Sequence, residues 1–259
     1  MIVSLPSLPN WRHLQLEDVG STNTVCAEHF LAGDPGQLWV TARRQLAGKA
    51  RRGRAWVSEP GNLYASVLLV DPAPPEALVG LPVVVSLALH SALLDALPAL
   101  GSRLAIKWPN DLLLDGEKLS GILMEARFDP ASQRSGIIIG CGINCTHFPD
   151  NPLYPATSLQ ASGFDLEPQV LFTHFVRAMA QALEQWHRGD GFLAIRKAWL
   201  ARAKGMGETI TARFDDHSIT GRFLDLDERG YLLLKDETGA MRQISAADIF
   251  FGNFPPEKA

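Results

Sequence analysis

The stretch LLLDGEKLSGIL, residues 112–123, contains the clearest local folding signal in the chain. Asp115-Gly116 separates two strand-like runs, and this dipeptide is the strongest short-range signal for a two-residue hairpin with a type I′ turn. In that register Leu114 pairs with Glu117 and Leu113 pairs with Lys118. The sequence therefore predicts an antiparallel hairpin with a defined register.

Two charged side chains are expected on one face of this hairpin. Asp111 lies two residues before Leu113, so it is a diagonal neighbour of Lys118 across the ladder, about 7–8 Å away between backbones. A carboxylate and an ammonium at that distance can share one bound metal–nucleotide complex. The alternative is a surface salt bridge, which the hairpin taken alone favours.

Polar residues also occur at the ends of two predicted strands. The segment Ile106-Lys107-Trp108-Pro109-Asn110-Asp111 ends a strand in a bend whose polar side chains either cap the backbone or face a ligand. Asn and Asp together suit metal ions and phosphate oxygens. Gly140-Cys141-Gly142-Ile143-Asn144 follows an apolar run, so its small residues allow a flat group to approach and Asn144 can hydrogen-bond it. Alone, this second signal is weak.

The densest positive charge lies at residues 43–54. Six of the 24 basic residues fall there: Arg43, Arg44, Lys49, Arg51, Arg52 and Arg54. Gly48 and Gly53 would let the backbone fold around a phosphate, and Trp56 can stack on a base. We expect a mobile loop that forms an anion site. The alternatives are a solvated charge run and a nucleic-acid patch, the latter disfavoured by the single cluster and the acidic remainder of the chain.

Other chemistries have no matching pattern. The seven histidines are scattered without metal-ligand spacing, and Cys141 and Cys145 lack zinc-knuckle spacing, so both are expected to be small buried residues. The sequence has no G-x-S-x-G elbow, Walker loop or dinucleotide fingerprint. We therefore expect neither metal-free hydrolysis nor nicotinamide chemistry.

Length and composition limit the class of protein. A chain of 259 residues predicts one large domain, or one large and one small, and 46% hydrophobic with 20% charged residues is a globular composition. The net charge of −4 gives no chain-wide field for nucleic acid. Three cysteines and no secretory leader favour a cytoplasmic location. The apolar stretch 78–100 is interrupted by polar residues, which predicts a buried core helix after Pro82 and no membrane span.

The pattern of elements predicts two domains. A helix begins near Ser21, strands are expected at 38–42, 62–70, 104–106, 112–114, 118–126 and 136–140, and further helices at 81–97, 166–186 and 192–203. Beyond Gly205-Met206-Gly207 the chain becomes a meander of short β-like runs, typical of small barrels. We predict domains at 1–205 and 206–259.

Taken together, these segments resemble biotin protein ligases. The similar segments are Gly20-Ser21-Thr22-Asn23, Gln45 to Trp56, Lys107 to Asp111, Lys118 to Glu125, Gly140 to Asn144 and Pro155-Ala156-Thr157-Ser158-Leu159. Their order and spacing agree over nearly the whole chain, and K-W-P-N-D followed by K-x-x-G-I-L-x-E is highly specific to this family.

The resemblance implies an α+β fold. The larger part is a mixed sheet related to class II aminoacyl-tRNA synthetases and flanked by helices, which are expected on one side, and the C-terminus is a small SH3-like β-barrel. Some members carry an N-terminal DNA-binding domain. Because the motifs here begin at Gly20, neither that domain nor DNA binding is expected.

The resemblance also implies a reaction in two steps. The carboxylate of biotin attacks the α-phosphate of ATP, with Mg²⁺, to give biotinyl-5′-AMP and pyrophosphate. A lysine of a biotin carboxyl carrier protein, such as that of acetyl-CoA carboxylase, then attacks the mixed anhydride and releases AMP. No tightly bound cofactor is implied, and a homodimer formed by sheet extension is possible in this family.

Site residues follow from the same resemblance. Lys118, Arg51 and Asp111 are expected to be catalytic, with Asp111 at Mg²⁺ and Asn110 beside it at the phosphates. Biotin is expected to contact Ser21, Thr22, Asn23, Gln45, Lys49, Ala50, Arg51, Lys118 and Gly121. ATP is expected to contact Lys49, Arg51, Arg54, Trp56, Lys107, Asn110, Asp111 and Asn144.

One segment departs from the family pattern. The usual loop is G-R-G-R-x-G-R, whereas this chain has Gly48-Lys49-Ala50-Arg51-Arg52-Gly53-Arg54. Lysine loses the bidentate fork of arginine, and alanine disfavours a positive φ by about 1 kcal/mol where that angle is needed. We predict weaker retention of the adenylate or biotin, which a Lys49→Arg/Ala50→Gly variant would reverse.

Two other functions compete with this hypothesis. A lipoate or octanoate ligase or transferase shares the fold and the acyl transfer to lysine, but should lack the combination of K-W-P-N-D with the basic segment. A non-catalytic ligand- or nucleic-acid-binding module could retain the fold as well. The presence of both Asp111 and Lys118, together with the acidic pI of 6.0, argues against it.

Overall fold

The computed structural model describes residues 1–5, 8–149 and 155–251. The strands are β1 Ile2–Leu5, β2 Leu8–Val19, β3 Leu38–Gln45, β4 Leu63–Val70, β5 Leu104–Lys107, β6 Asp111–Leu114, β7 Glu117–Asp129, β8 Arg134–Ile143, β9 Thr209–Arg213, β10 Ser218–Leu226, β11 Leu232–Asp236, β12 Met241–Ile244 and β13 Asp248–Phe251. The helices are α1 Thr22–Leu31, α2 Leu81–Ala96, α3 Pro168–Trp186 and α4 Phe192–Leu200. The end of the predicted 206–259 domain, from residue 252, lies outside these residues.

The main sheet has eight strands in the order β1-β2-β3-β4-β8-β7-β6-β5. Only β2 and β3 are parallel, because α1 connects them as a crossover, and the other neighbours are antiparallel. The sheet is therefore mixed, as the resemblance implies.

Helices cover both faces of this sheet. Trp39 and Ile139 belong to the core that includes α2 and α3, whereas the adjacent Val40 and Ile138 pack with Phe30 of α1. Successive side chains on a strand point to opposite faces, so α1 lies across the sheet from α2 and α3. The expectation that the helices lie on one side is wrong, because alternating apolar positions on β3 and β8 leave two faces to be buried.

The predicted hairpin is formed by β6 and β7 in the predicted register. Leu113 pairs with Lys118 and Leu114 with Glu117, while Asp115 and Gly116 have φ of 52° and 86°, as a type I′ turn requires. A bulge follows, because Leu112 pairs with Ser120 and leaves Leu119 as the extra residue. Leu119 is fully buried, so the bulge adds one apolar side chain to the core.

The apolar stretch after residue 78 forms the core helix α2. Pro82 occupies its first turn, where a missing N–H costs no hydrogen bond. Among the described residues, Leu78–Ala96 is the one helical segment long and apolar enough to cross a membrane, and 67% of it is buried within the protein. Because it packs against both the sheet and α3, its composition reflects burial in the core.

A five-stranded antiparallel sheet follows α4, in the order β12-β11-β10-β9-β13. Its inward side chains, such as Phe223, Leu232 and Ile249, join the same hydrophobic core as the main sheet. Three strands were not predicted: β1, β2 and β13. β1 and β2 are largely exposed, with an irregular polar pattern, and β13 is only four residues long.

Candidate functional site

A cavity of about 350 Å³ opens where β3, β6, β7 and β8 meet the C-terminal sheet. Its lining includes every site residue predicted from the sequence: Ser21, Thr22, Asn23, Gln45, Lys49, Ala50, Arg51, Arg54, Trp56, Lys107, Asn110, Asp111, Lys118, Gly121 and Asn144. The fold thus brings together segments that are more than 120 positions apart in the chain. The roles given to these residues remain predictions.

One end of the cavity is polar and uncharged. Ser21, Thr22 and Asn23 are buried at the start of α1. The backbone N–H of Thr22 donates to Gln45 Oε1 at 2.9 Å, and Gln45 Nε2 donates to Ser58 Oγ at 3.0 Å. This end presents oriented amide and hydroxyl groups to a neutral ligand.

The other end is cationic and also contains the carboxylates of Asp111 and Asp248. Lys118 Nζ lies 2.7 Å from Asp111 Oδ1, and the two side chains are 25% and 15% exposed, so this ion pair lies within the cavity. Arg51 Nη1 donates to Asn110 Oδ1 at 2.9 Å. Burial lowers the pKa of the Lys107 ammonium, an effect that neighbouring Asp111 opposes. Such a cluster suits phosphate or carboxylate groups.

The basic segment divides into three parts. Arg43 and Arg44 lie on β3 and pair with Glu17 and Asp18 of β2, outside the cavity. Lys49, Arg51 and Arg54 line the cavity. Arg52 turns toward the C-terminal sheet. The predicted anion site therefore involves half of the cluster, because β3 continues to Gln45 and takes the first two arginines into the sheet.

The segment between β3 and β4 is folded over the cavity. It forms a short 3₁₀ turn, Arg51–Gly53, within an isolated bridge between Lys49 and Ala55. Arg52 lies 3.1 Å from Asp215 and 3.3 Å from Asp248, and Arg54 lies 3.7 Å from Asp248. The C-terminal sheet thus supplies the counter-charges for this segment.

Trp56 lies against two glycines on the floor of the cavity. A Cβ on Gly142 would come within 2.4 Å of its indole ring, and one on Gly121 within 3.0 Å. The Lys118 ammonium is 5.7 Å from the ring centre. Among the described residues no group bonds the buried Trp56 Nε1. The glycines permit this close approach of the indole ring, and the flat ligand expected beside Gly142 stays a prediction.

The backbone at Ala50 contradicts one argument made from the sequence. Its φ is −118°, an extended conformation that alanine adopts without strain, so the predicted cost of replacing glycine there is wrong. The left-handed positions are instead Arg52, at 56°, and Gly53, at 68°. Gly48 is needed for a different reason, because a Cβ there would lie 2.4 Å from the carbonyl oxygen of Trp56.

Asn144 is fixed in the wall by the chain that follows it. Its Nδ2 donates to the carbonyl of Thr157 at 3.0 Å, and its own carbonyl accepts from the N–H of Leu159 at 2.9 Å. The N–H of Lys118 donates to the carbonyl of Pro155. The segment Pro155–Leu159 therefore holds both Asn144 and Lys118 in place.

The donor set does not form a resident metal site. Within the described part of the chain, no group of three or more His, Cys, Asp or Glu side chains could hold a metal ion. Among the described residues, the carboxylates that line the cavity are Asp111 and Asp248, and each pairs with basic side chains. This arrangement fits Mg²⁺ only as a partner of bound phosphates, since Mg²⁺ often takes one or two protein carboxylates and completes its shell with substrate oxygens and water.

Several cavity residues were missed by sequence reasoning. Ala247, Asp248 and Ile249 reach it from the C-terminal sheet, and no local pattern shows which loop a distant strand will contact. Ser66, which lies behind the lining and is fully buried beside Thr22 and Asn23, was also missed. A serine within the otherwise apolar run 63–70 was the available signal.

Two family models match the chain. The Biotin/lipoate A/B protein ligase family matches residues 16–144, and the Biotin protein ligase C terminal domain matches residues 205–252. The description of the first names both biotin and lipoate ligases, whereas that of the second names biotin protein ligases.

Named relatives and solved structures agree. A biotin--[acetyl-CoA-carboxylase] ligase of Paracoccus denitrificans is 38% identical over 85% of this chain and 92% of its own length. The bifunctional ligase/repressor BirA of Bacillus subtilis is 33% identical over 93% of this chain and 74% of its own length.

The Aquifex aeolicus biotin protein ligase, solved with biotin and ATP, superimposes with a TM-score of 0.79 at 26% identity, over 93% of this chain and 99% of that one. The extent of these matches, covering both sheets, shows more than a shared fold. The chain therefore belongs to the biotin protein ligase family and is an enzyme of that class.

Proposed function

We propose that this ligase forms biotinyl-5′-AMP and pyrophosphate from biotin and ATP, then transfers the biotinyl group to a lysine of a biotin carboxyl carrier protein. The observation that carries the proposal is that one continuous cavity has a neutral polar end and a cationic end. Biotin has an uncharged ureido ring and a carboxylate tail. Bound along the cavity, it would bring its carboxylate to the phosphates of ATP.

The cationic end would serve the first step. Negative charge accumulates on the phosphoryl group under attack, and preorganised cations stabilise it. Lys118 and Arg51, with Lys49 beside them, would act at the acyl phosphate. Arg54 and Lys107 would bind the triphosphate, with Trp56 and Asn144 at the adenine.

Asp111 would exchange partners when the nucleotide binds. In the structure its carboxylate neutralises Lys118 at 2.7 Å. Mg²⁺ carried by ATP is a stronger partner for a carboxylate, and Asn110 adds an amide oxygen nearby. Asp111 and Asn110 would hold Mg²⁺, which would neutralise phosphate charge, and the Lys118 ammonium would bind the phosphate.

The second step needs a carrier and a shielded intermediate. The lysine amine attacks the acyl carbon, AMP leaves, and the amide forms with loss of a proton. The segment over the cavity, residues 46–56, would exclude the water that hydrolyses an adenylate. We expect the carrier domain of a biotin-dependent carboxylase, as the name of the Paracoccus relative indicates.

The proposal also covers the domain boundaries, the cellular location and the oligomeric state. The catalytic unit spans 1–205 and the barrel 206–259, which the separate sheets support. A cytoplasmic location accords with the three unpaired cysteines. A homodimer formed by sheet extension would use β1, since the backbone of residues 202–204 bonds to the outer edge of β5 and leaves β1 as the open edge.

The proposal is tested by the intact mass of an apo carrier domain after incubation with the enzyme, Mg²⁺, ATP and equal amounts of biotin and lipoate. We expect a single ATP-dependent biotinyl adduct. Lys118→Ala should lower the rate about 10²–10³-fold, the usual cost of removing one group that stabilises transition-state charge. Asp115→Asn is the matched control, since it changes a carboxylate on the same hairpin, paired with Arg103 outside the cavity, and Asn tolerates its left-handed φ.

The possible outcomes of this test distinguish the competing functions and the role of Lys118. A lipoyl adduct would assign the rival lipoate ligase activity, and no adduct from folded enzyme would leave only a binding function. Equal rates for Lys118→Ala and Asp115→Asn would remove Lys118 from the mechanism while leaving the reaction intact.

A further inference from the structure

Glu125, the last residue of the K-x-x-G-I-L-x-E motif, has no role in the reaction described above. It lies on β7 behind the polar end of the cavity and does not line it. Its Oε2 accepts a hydrogen bond from Asn23 Nδ2 at 2.8 Å, and its Oε1 pairs with Arg127 at 3.1 Å. A carboxylate can only accept, so Asn23 must turn its amino group toward Glu125.

The orientation of Asn23 determines the next hydrogen bond. Its Oδ1 lies 2.6 Å from the hydroxyl of Ser66, which is fully buried. An amide oxygen carries no hydrogen, so Ser66 must donate to it. Ser66 has only one hydrogen, and its oxygen also lies 2.6 Å from Thr22 Oγ1. Two oxygens at that distance must have a hydrogen between them. Because the Ser66 hydrogen already points to Asn23, the hydrogen between Ser66 and Thr22 must come from the Thr22 hydroxyl.

A second chain of bonds fixes Gln45 in the same way. Ser58 Oγ donates to the carbonyl of Trp56 at 2.9 Å, so it must accept from Gln45 Nε2. Gln45 Oε1 consequently faces Thr22 and accepts its backbone N–H. Thr22 Oγ1 and Gln45 Oε1 lie 3.1 Å apart. Because the hydroxyl hydrogen of Thr22 points to Ser66, it does not lie between these two oxygens. The cavity thus presents two adjacent acceptor oxygens.

From this polarity we propose that Glu125 is a positioning residue that makes Thr22 an acceptor for a ureido N–H of the bound ligand. The inference rests on the proposed function, because it takes biotin as that ligand. Biotin's ring has two N–H donors and one carbonyl, and adjacent acceptor oxygens match the donors. Glu125 acts through Asn23 and Ser66. Its carboxylate can only accept, so it sets which group donates in each hydrogen bond from Asn23 to Thr22.

Calorimetric binding of biotin to the full-length enzyme tests this directly. Glu125→Met keeps the length of the side chain but removes the acceptor, and it should weaken biotin binding about tenfold, the effect of losing one oriented hydrogen bond. Glu125→Gln keeps one acceptor oxygen and should stay within about twofold of the wild type. The matched control is Arg127→Met, which removes the ion-pair partner of Glu125 and should leave biotin affinity unchanged.

Two further readouts separate positioning from simple structural support. Ser66→Ala should cause a similar loss, and the Glu125→Met/Ser66→Ala pair should lose little more than either change alone, because both break one chain. The preference for biotin over an analogue methylated at one ureido nitrogen should fall in Glu125→Met, with the unfolding temperature unchanged.

The possible failures are distinct. If the wild type does not bind biotin, the proposed function fails, and this inference fails with it. If the wild type binds biotin and Glu125→Met binds it equally well, only the inference is overturned. Additive losses for Glu125→Met and Ser66→Ala, with unchanged preference against the methylated analogue, would also overturn it.

Discussion

His13 shows how one buried side chain can make stability depend on pH. Its Nε2 lies 2.8 Å from Thr41 Oγ1, its ring centre lies 4.4 Å from that of Phe172 with the two planes tilted by 35°, and only 6% of the residue is exposed. Burial lowers the pKa of His13 from 6.5 to about 4. Burial has the same effect on His90 in α2. Both rings are therefore neutral in the folded protein at physiological pH.

The sign of the effect follows from the unfolded chain, which binds a proton below about pH 6.5 when the folded protein does not. The contribution of His13 is complete above pH 6.5 and is lost as the pH falls toward 4, by up to about 3 kcal/mol. In urea titrations His13→Gln should therefore show a shallower loss of stability over this range. His187→Gln, at an exposed site, should match the wild type. Parallel pH profiles for His13→Gln and wild type would contradict the assignment.

The elements differ in how far the sequence predicts them. The β6–β7 hairpin follows from Asp115-Gly116 because its turn is a local property of the backbone. β1 and β2 have no such signal, since their pairing depends on partners elsewhere in the sheet. The same distinction holds in the cavity, where the motif residues were predicted, but Asp248 depends on the position of a distant strand.

The segment over the cavity is the element on which Asp248 acts. This carboxylate, 13% exposed, pairs with both Arg52 and Arg54. Without it the arginines lose their shared counter-charge, and we expect Asp248→Asn to expose the segment to trypsin several-fold faster in the absence of ligand. Asp215→Asn, which removes a carboxylate that is 89% exposed and pairs with Arg52, should have a smaller effect because exposed pairs contribute little. Equal cleavage rates for Asp248→Asn and wild type would refute this role.

At the scale of the whole molecule the two sheets share one core. Trp108 Nε1 donates to the carbonyl of Gly230 at 3.1 Å, and Arg196 of α4 donates to the carbonyl of Leu226 at 2.7 Å. Arg196 also pairs with Asp225. These contacts hold the C-terminal sheet against the catalytic part, where it completes the cavity wall.

Loosening that contact should therefore change substrate binding. We expect Arg196→Met to raise the KM for ATP several-fold with little change in kcat, because Asp248 and Ile249 would no longer be held at the cavity. Arg222→Met removes a comparable bond, from Nε to the carbonyl of Gly207, within the C-terminal part and should leave the KM unchanged. Steady-state kinetics of the two variants test this prediction. An equal KM for ATP in both would show that the contact between the C-terminal sheet and the catalytic part does not shape the site.

The three cysteines have a practical consequence. Cys26, Cys141 and Cys145 are all buried, and burial raises the pKa of each thiol. A maleimide dye would therefore find no native thiolate to label. A pair of cysteines introduced at exposed positions, one on the segment over the cavity and one on the C-terminal sheet, could carry donor and acceptor fluorophores in the otherwise unaltered chain, so that each closure of the cavity could be observed in single molecules during turnover.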